Sequence, residues 1–192
     1  LDACTDGDDN TAIGYAALGA NTTAEDNTAV GSNALAANTT GASNTAVGKG
    51  ALDANTTGTT NTAVGLDALG ANTTASHNTG IGWSALAANT TGDLNVAVGY
   101  GALDANTTGD GAVAIGVRDL GKQDVSGDTY NVAVGYSAGT AITTGVQNTL
   151  VGGTSGDAIT TGNYNVAMGV GSLGALTTGS ENTAIGVSAM TN

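Results

Sequence analysis

Apolar and polar positions recur along the chain with a period of 17 residues. Counted from Asn10 as position 0, each repeat reads roughly N-[TV]-A-[VI]-G-x-x-A-L-x-A-N-T-T-G-x-x. A β-branched residue at positions 1 and 3, with a small residue between them, is the two-residue periodicity of a strand. Glycine at position 4 predicts a turn, and Thr-Thr-Gly at positions 12 to 14 predicts a second strand and turn.

The repeat occurs eleven times, and its last copy is short. Position 0 is occupied by Asn10, Asn27, Asn44, Asn61, Asn78, Asn95, Ala112, Asn131, Asn148, Asn165 and Asn182. A rigid short period indicates stacked units that each contact only their neighbours. We therefore predict an all-β fold, a parallel β-solenoid or β-roll of eleven 17-residue coils over residues 10–192. Residues 1–9 form an acidic leader or cap, and a two-residue insertion lies within 117–130.

Stacking places each residue on its own copy in the next coil. The asparagines at position 0 are expected to form an amide ladder. Position 5 accepts Lys49 as well as Trp83, so its rings are expected at the surface, either in loose stacking or as a binding stripe. Position 11 is Asn in the first six copies and later becomes Ile142, Ile159 and Leu176. We interpret position 11 as internal, and an intersubunit contact is the alternative.

Composition excludes several classes of function. The formal charge is −13, with three bases against sixteen acids, which opposes binding to nucleic acid or to an anionic membrane. No apolar run is long enough for membrane insertion. One Cys and one His exclude a disulfide framework and a His/Cys metal cage. His77 lies at a variable position, so we predict no catalytic residues, no metal, no cofactor and no enzyme activity.

The strand motif resembles that of a known family. Val-Ala-Ile-Gly at 113–116, Asn-Val-Ala-Val-Gly at 95–99 and 131–135, and Asn-Val-Ala-Met-Gly at 165–169 resemble the repeats of trimeric autotransporter adhesin heads. Related repeats occur in bacterial surface proteins and phage tail fibres. The resemblance implies a left-handed parallel β-roll, three chains packed side by side, and an extracellular, cell-surface or virion-fibre location. It also implies that the partners are other copies of the chain and a host or cell surface.

Two sets of residues are candidate sites. The Asn-Thr-Thr triplets are glycosylation sequons, which require an exposed Asn, at Asn21, Asn38, Asn55, Asn72, Asn89 and Asn106. The second set lies around the insertion, which is expected to protrude as a loop, where binding specificity usually resides. Its members are Arg118, Asp119, Lys122, Asp124 and Asp128. A tolerated insertion with local ion pairs is the alternative.

The leader and the chain termini give weaker signals. Asp2, Asp6, Asp8 and Asp9 lack the spacing of a calcium loop, so we predict a solvated cap. Cys4 is either an unpaired thiol or a partner for Cys4 of another chain. The absence of an initial Met predicts a processed product or a fragment, and unpaired strand edges at the two ends predict end-to-end stacking into a filament.

These observations predict a non-enzymatic structural or adhesive rod that associates as a trimer or a filament. The alternative is an ice-binding solenoid that uses the ladders of Thr22, Thr23 and their copies, although adjacent residues of a strand face opposite ways. A carbohydrate-binding tail-fibre segment is less favoured because aromatic residues are sparse.

Overall fold

The regular structure of the chain consists entirely of short β-strands. The computed structural model describes residue 3 and residues 5–191, so the alternatives for Cys4 and the acid at Asp2 lie outside the described residues. The strands are β1 (Thr11–Ile13), β2 (Thr28–Val30), β3 (Thr45–Val47), β4 (Thr62–Val64), β5 (Thr79–Ile81), β6 (Val96–Val98), β7 (Gly109–Asp110), β8 (Val113–Val117), β9 (Gly127–Asp128), β10 (Val132–Tyr136), β11 (Thr149–Val151), β12 (Val166–Met168) and β13 (Thr183–Ile185).

All strands except β7 and β9 form one parallel sheet of eleven strands in the order in which they occur along the chain. Thr11 pairs with Thr28, 17 residues later, and the same step recurs through the sheet. At β8 and β10 the step is longer, because Val113 pairs with Val132. The prediction of an all-β parallel solenoid with one coil per repeat is confirmed.

The apolar half of each coil interior is built from alanine at positions 2 and 7 and leucine at position 8. Eight position-8 leucines are completely buried: Leu18, Leu35, Leu52, Leu69, Leu86, Leu103, Leu120 and Leu173. In two coils this position is Gly139 or Gly156, and Leu150 then stands at position 2 instead of alanine. Its methyl carbons lie where a side chain on either glycine would start. The narrow core is therefore kept filled by exchanging volume between positions, as close packing requires.

The polar half of the interior is a double ladder of asparagines. At position 0, the Asn44 N–H donates to Asn27 Oδ1 at 2.9 Å. At position 11, Asn55 Nδ2 donates to Asn38 Oδ1 at 2.9 Å. The backbone carbonyl of Gly58 accepts from both Asn44 Nδ2, at 2.8 Å, and Asn55 Nδ2, at 3.0 Å. The position 0 ladder and the internal interpretation of position 11 are both confirmed, and Ile142 and Ile159 continue position 11 as buried apolar residues.

The Thr-Thr-Gly segments do not form the predicted second strand. The N–H groups of Thr39 and Thr40 both donate to the carbonyl of Thr56, at 3.0 and 3.2 Å. Two consecutive donors on one acceptor bend the backbone, so both threonines lie on the outside of the coil. A second sheet is assigned only where Gly109 pairs with Gly127 and Asp110 with Asp128.

Residues 5–9 follow the path of a coil rather than forming a separate cap. The Thr5 N–H donates to the carbonyl of Thr22 at 2.9 Å, and the Asp26 N–H donates to the carbonyl of Asp8 at 3.2 Å. These contacts repeat those of positions 12 and 15 in later coils. The predicted boundary between a leader and the solenoid at Asn10 therefore does not hold for this segment.

Glycine occupies position 4 in every repeat for two reasons. Its φ lies between +126° and +154°, a region that other residues rarely adopt. A Cβ on Gly65 would also lie 2.4 Å from the carbonyl oxygen of Gly82 in the next coil. The strand can bend away only because the coils approach each other this closely.

We expect Gly65→Ala to lower the free energy of unfolding by about 3 kcal/mol, because strained φ and overpacking add. Gly153→Ala is the matched control, since a Cβ there has no atom within 4 Å. Urea denaturation followed by circular dichroism measures both. A loss for Gly65→Ala no larger than that for Gly153→Ala would contradict this account of position 4.

Candidate functional site

Aromatic side chains at position 5 lie on the outside of the rod, as predicted. They follow the bend at the position 4 glycine and are Tyr15, Trp83, Tyr100 and Tyr136. Trp83 and Tyr100 sit in adjacent coils with ring centroids 5.2 Å apart and an interplanar angle of 54°. Trp83 keeps 56% of its surface exposed and Tyr100 keeps 40%. The pair leaves one wide aromatic surface open to solvent.

Arg118 extends this aromatic pair into the next coil. Its guanidinium carbon lies 5.5 Å from the centroid of the Tyr100 ring, a cation–π arrangement. Arg118 stands at position 6, which is left-handed in every coil, and its φ is 58°. This backbone turn directs the long side chain back over the ring of the preceding coil.

A surface groove of about 280 Å³ adjoins Arg118. Asp104, Arg118, Gly121, Lys122 and Thr140 line it. Two cations face one carboxylate, so the groove has a net charge of about +1 in a chain whose formal charge is −13. Partial burial raises the pKa of Asp104, and the positive charge of Arg118 opposes that rise. The groove is therefore a positive patch on an acidic rod.

The predicted interaction loop is only partly brought together. Arg118 and Lys122 share the groove, but Asp124 points elsewhere and accepts hydrogen bonds from the N–H and Oγ1 of Thr107, at 3.2 and 2.5 Å. Asp128 belongs to β9 and pairs with β7. Because Gly127 follows its partner Gly109 by 18 residues rather than 17, one extra residue precedes Gly127. The other follows Asp128, so the insertion is split and does not leave the rod as one loop.

Asp119 does not belong to an exposed loop at all. It stands at position 7, inside the coil, where eight other copies have alanine. Its carboxylate accepts hydrogen bonds from the N–H groups of Gly135 and Ala138, both at 2.9 Å. Burial raises its pKa to about 6, although the two hydrogen bonds act in the opposite direction. Counting repeat positions across the insertion would have identified Asp119 as internal.

The same coil breaks both asparagine ladders. Position 0 is Ala112, and position 11 is Gln123. The longer Gln123 side chain supplies the missing acceptor, because Asn131 Nδ2 donates to its Oε1 at 2.7 Å. Buried Asn106 Oδ1 and Gln123 Nε2 are left without hydrogen-bond partners. One coil, residues 112–130, thus combines the insertion, a buried acid and an imperfect ladder.

The sequons do not present their asparagines to solvent. Asn21, Asn38, Asn55, Asn72, Asn89 and Asn106 are completely buried. Their amides take part in the internal ladder, as Asn72 Nδ2 shows by donating to Asn55 Oδ1 at 2.8 Å. The exposed Asn that glycosylation requires is absent from the folded coil. The repeat carries the Asn-Thr-Thr triplet because position 11 faces inward and the threonines face outward.

Within residue 3 and residues 5–191, no group of three or more His, Cys, Asp and Glu side chains is placed to hold a metal ion. The same part of the chain has no helix that could cross a membrane. His77 is exposed at position 16. No protein-family model matches the chain, and neither a curated protein nor a solved structure matches it. Proposals about function therefore rest on the fold and its surface chemistry.

We expect the buried Asp119 to make folding less favourable as the pH rises from about 4 to above 6. Its folded pKa is raised, so its protonated form is favoured in the fold. Stability is therefore greatest below the unfolded pKa and is lost as the pH passes about 6. Between pH 4 and pH 7, Asp119→Ala should gain about 1 to 3 kcal/mol relative to the wild type.

Urea denaturation at a series of pH values measures this difference. Asp119→Asn keeps a polar side chain but cannot ionise, so its difference from the wild type should show the same pH dependence. A difference between wild type and both variants that stays constant from pH 4 to pH 7 would contradict the assignment.

Proposed function

We propose that the chain is a non-enzymatic structural rod of an extracellular fibre or surface, and that copies associate side by side through the outer face of the eleven-stranded sheet. The observation that carries the proposal is the composition of this apolar face, formed by positions 1 and 3 of every coil. Position 1 is Thr or Val, and position 3 is Val, Ile or Met. None of these residues is charged.

The apolar face is exposed and large. Ile13 keeps 60% of its surface exposed, Ile115 keeps 41% and Ile185 keeps 70%. Eleven strands at about 4.8 Å spacing and three residues of about 3.3 Å give roughly 50 Å by 10 Å. Two such faces would bury about 1,000 Å², which is the size expected of a biological interface. Solvent-exposed patches of this size are uncommon on monomers.

The resemblance to adhesin heads and tail fibres supports the same proposal. In that family, β-rolls of this kind pack side by side as trimers. The high negative charge elsewhere on the rod would keep such an assembly soluble and limit unspecific aggregation. Trimer and filament are both compatible with a face that runs the whole length of the sheet.

Replacing two residues of the apolar face by lysine should dissociate the assembly. We expect the wild type to sediment as a trimer or a larger species, and Ile81→Lys/Ile115→Lys to sediment as a monomer. The buried charges would have to lose their hydration at the interface, which costs several kcal/mol. Analytical ultracentrifugation measures the mass, and circular dichroism confirms that the fold is retained.

Thr74→Lys/Thr91→Lys is the matched control. It adds the same charge at exposed threonines of position 13, away from the apolar face. This variant should keep the wild-type mass. A wild type that remains monomeric at millimolar concentration, or a control that dissociates as readily, would refute association through this face.

Ice binding is the second candidate, and one observation favours it. Because Thr-Thr-Gly is not a strand, both threonines face outward and form two ladders in register. The first of each pair uses its hydroxyl within the rod, since Thr39 Oγ1 donates to the Thr56 carbonyl at 3.0 Å. The second is exposed in most coils.

A thermal hysteresis measurement separates the two candidates. A structural rod should produce no hysteresis at millimolar concentration. Hysteresis in the wild type that Thr74→Lys/Thr91→Lys abolishes would make ice binding the function. The same variant serves in both experiments, so a change in mass and a change in ice growth can be compared directly.

A further inference from the structure

The basic residues of the chain are concentrated at one place. Of the three, Arg118 and Lys122 line the same groove, whereas Lys49 lies four coils away at position 5. Position 10 is alanine in nine other coils, and position 6 is a small or short polar residue. The repeat itself therefore does not require a cation at either position. Both cations occur in the one coil whose interior is irregular.

The groove is partly organised before any ligand binds. Arg118 rests on the Tyr100 ring, and Tyr100 is tilted against Trp83. Holding a long side chain in place lowers the entropy lost on binding. Asp104 offers acceptor oxygens and Thr140 offers a hydroxyl on the same lining. The volume of about 280 Å³ lies near the lower limit for ligand sites and suits one ring-sized group.

We propose that this groove binds a sugar residue that carries a carboxylate, such as the uronic acid unit of an acidic polysaccharide. The carboxylate would lie between Arg118 and Lys122, since charge-assisted hydrogen bonds to a guanidinium and an ammonium are the strongest available here. Ring hydroxyls would bond to Asp104 and Thr140. The exposed Trp83 and Tyr100 rings extend the site along the rod, where a neighbouring sugar can pack.

The charge of the whole rod determines which anions fit. A nucleic acid has one phosphate for each nucleotide and would be repelled by a surface whose formal charge is −13. A sugar chain with spaced carboxylates can place one charge in the groove, because screening limits repulsion from acids beyond about 8 Å. The groove does not depend on the apolar face, so this proposal is independent of self-association.

Calorimetric titration with a galacturonic acid tetramer, and with the neutral galactose tetramer, tests the proposal. We expect the acidic tetramer to bind and the neutral one to bind about tenfold more weakly or not at all. Arg118→Ser/Lys122→Ala should weaken binding of the acidic tetramer about tenfold or more. Both substitutions install residues that other coils carry at these positions, so the fold is expected to persist.

Lys49→Ser is the control, because it removes a base far from the groove and copies Ser32 of the preceding coil. Its affinity should stay within about twofold of the wild type. Equal weakening by Lys49→Ser would show only unspecific attraction and would overturn the proposal. So would the absence of binding at millimolar tetramer while ultracentrifugation shows an intact assembly.

Asp104→Ala determines the sign of the ligand charge. For a carboxylated sugar, removing this acid removes repulsion, so the acidic tetramer should bind a few times more tightly at low salt. Raising the salt concentration should reduce the gain. If Asp104→Ala instead weakens both tetramers equally, the groove recognises neutral hydroxyl groups, and the assignment of a carboxylate is wrong.

Discussion

Each coil is closed by two asparagine amides that meet on one backbone carbonyl. In the coil of Asn44 and Asn55, that carbonyl belongs to Gly58, and the donor–acceptor distances are 2.8 and 3.0 Å. The amide oxygens are used in turn by the next coil, as when Asn44 Oδ1 accepts from the Asn61 N–H at 2.9 Å. A buried amide without a partner costs about 1 to 3 kcal/mol. The ladder therefore stabilises the stack only when each coil places its amides directly over those of its neighbour, which fixes the period.

The leucines show why the hydrophobic core alone does not set this fold. At position 8 the eight leucines have φ between 49° and 53°, in the left-handed region. Such a backbone costs roughly 1 to 2 kcal/mol for a residue other than glycine, and burial of the side chain contributes roughly 1.5 to 3 kcal/mol. The two nearly cancel. The leucine therefore fills the interior and excludes water, while hydrogen bonds between coils provide the remaining stability.

The sequence was sufficient to predict the period, the parallel stack, the ladder at position 0 and the surface rings, because each depends on a residue type that recurs at a fixed spacing. It failed where one position departs from its own column. Asp119 looked like part of a polar loop because its neighbours Arg118 and Lys122 are outside, yet position 7 is inside in every coil. Thr39 and Thr40 looked like a strand because threonine favours strands. Their shared acceptor at Thr56 depends on the inward Asn38, which is a property of the stack and not of local preference.

A stack of identical coils cannot distinguish one point along its length from another, so recognition of a small ligand requires a coil that differs. The coil of residues 112–130 differs at a cost: a buried acid at Asp119 and two buried polar atoms without partners, on Asn106 and Gln123. A regular coil would have avoided that cost of several kcal/mol and extended the rod equally well. The Gln123 side chain replaces part of the lost ladder, so this coil has been accommodated rather than merely disordered. The groove cations stand on its outer surface, which places the site at the one break in the repeat.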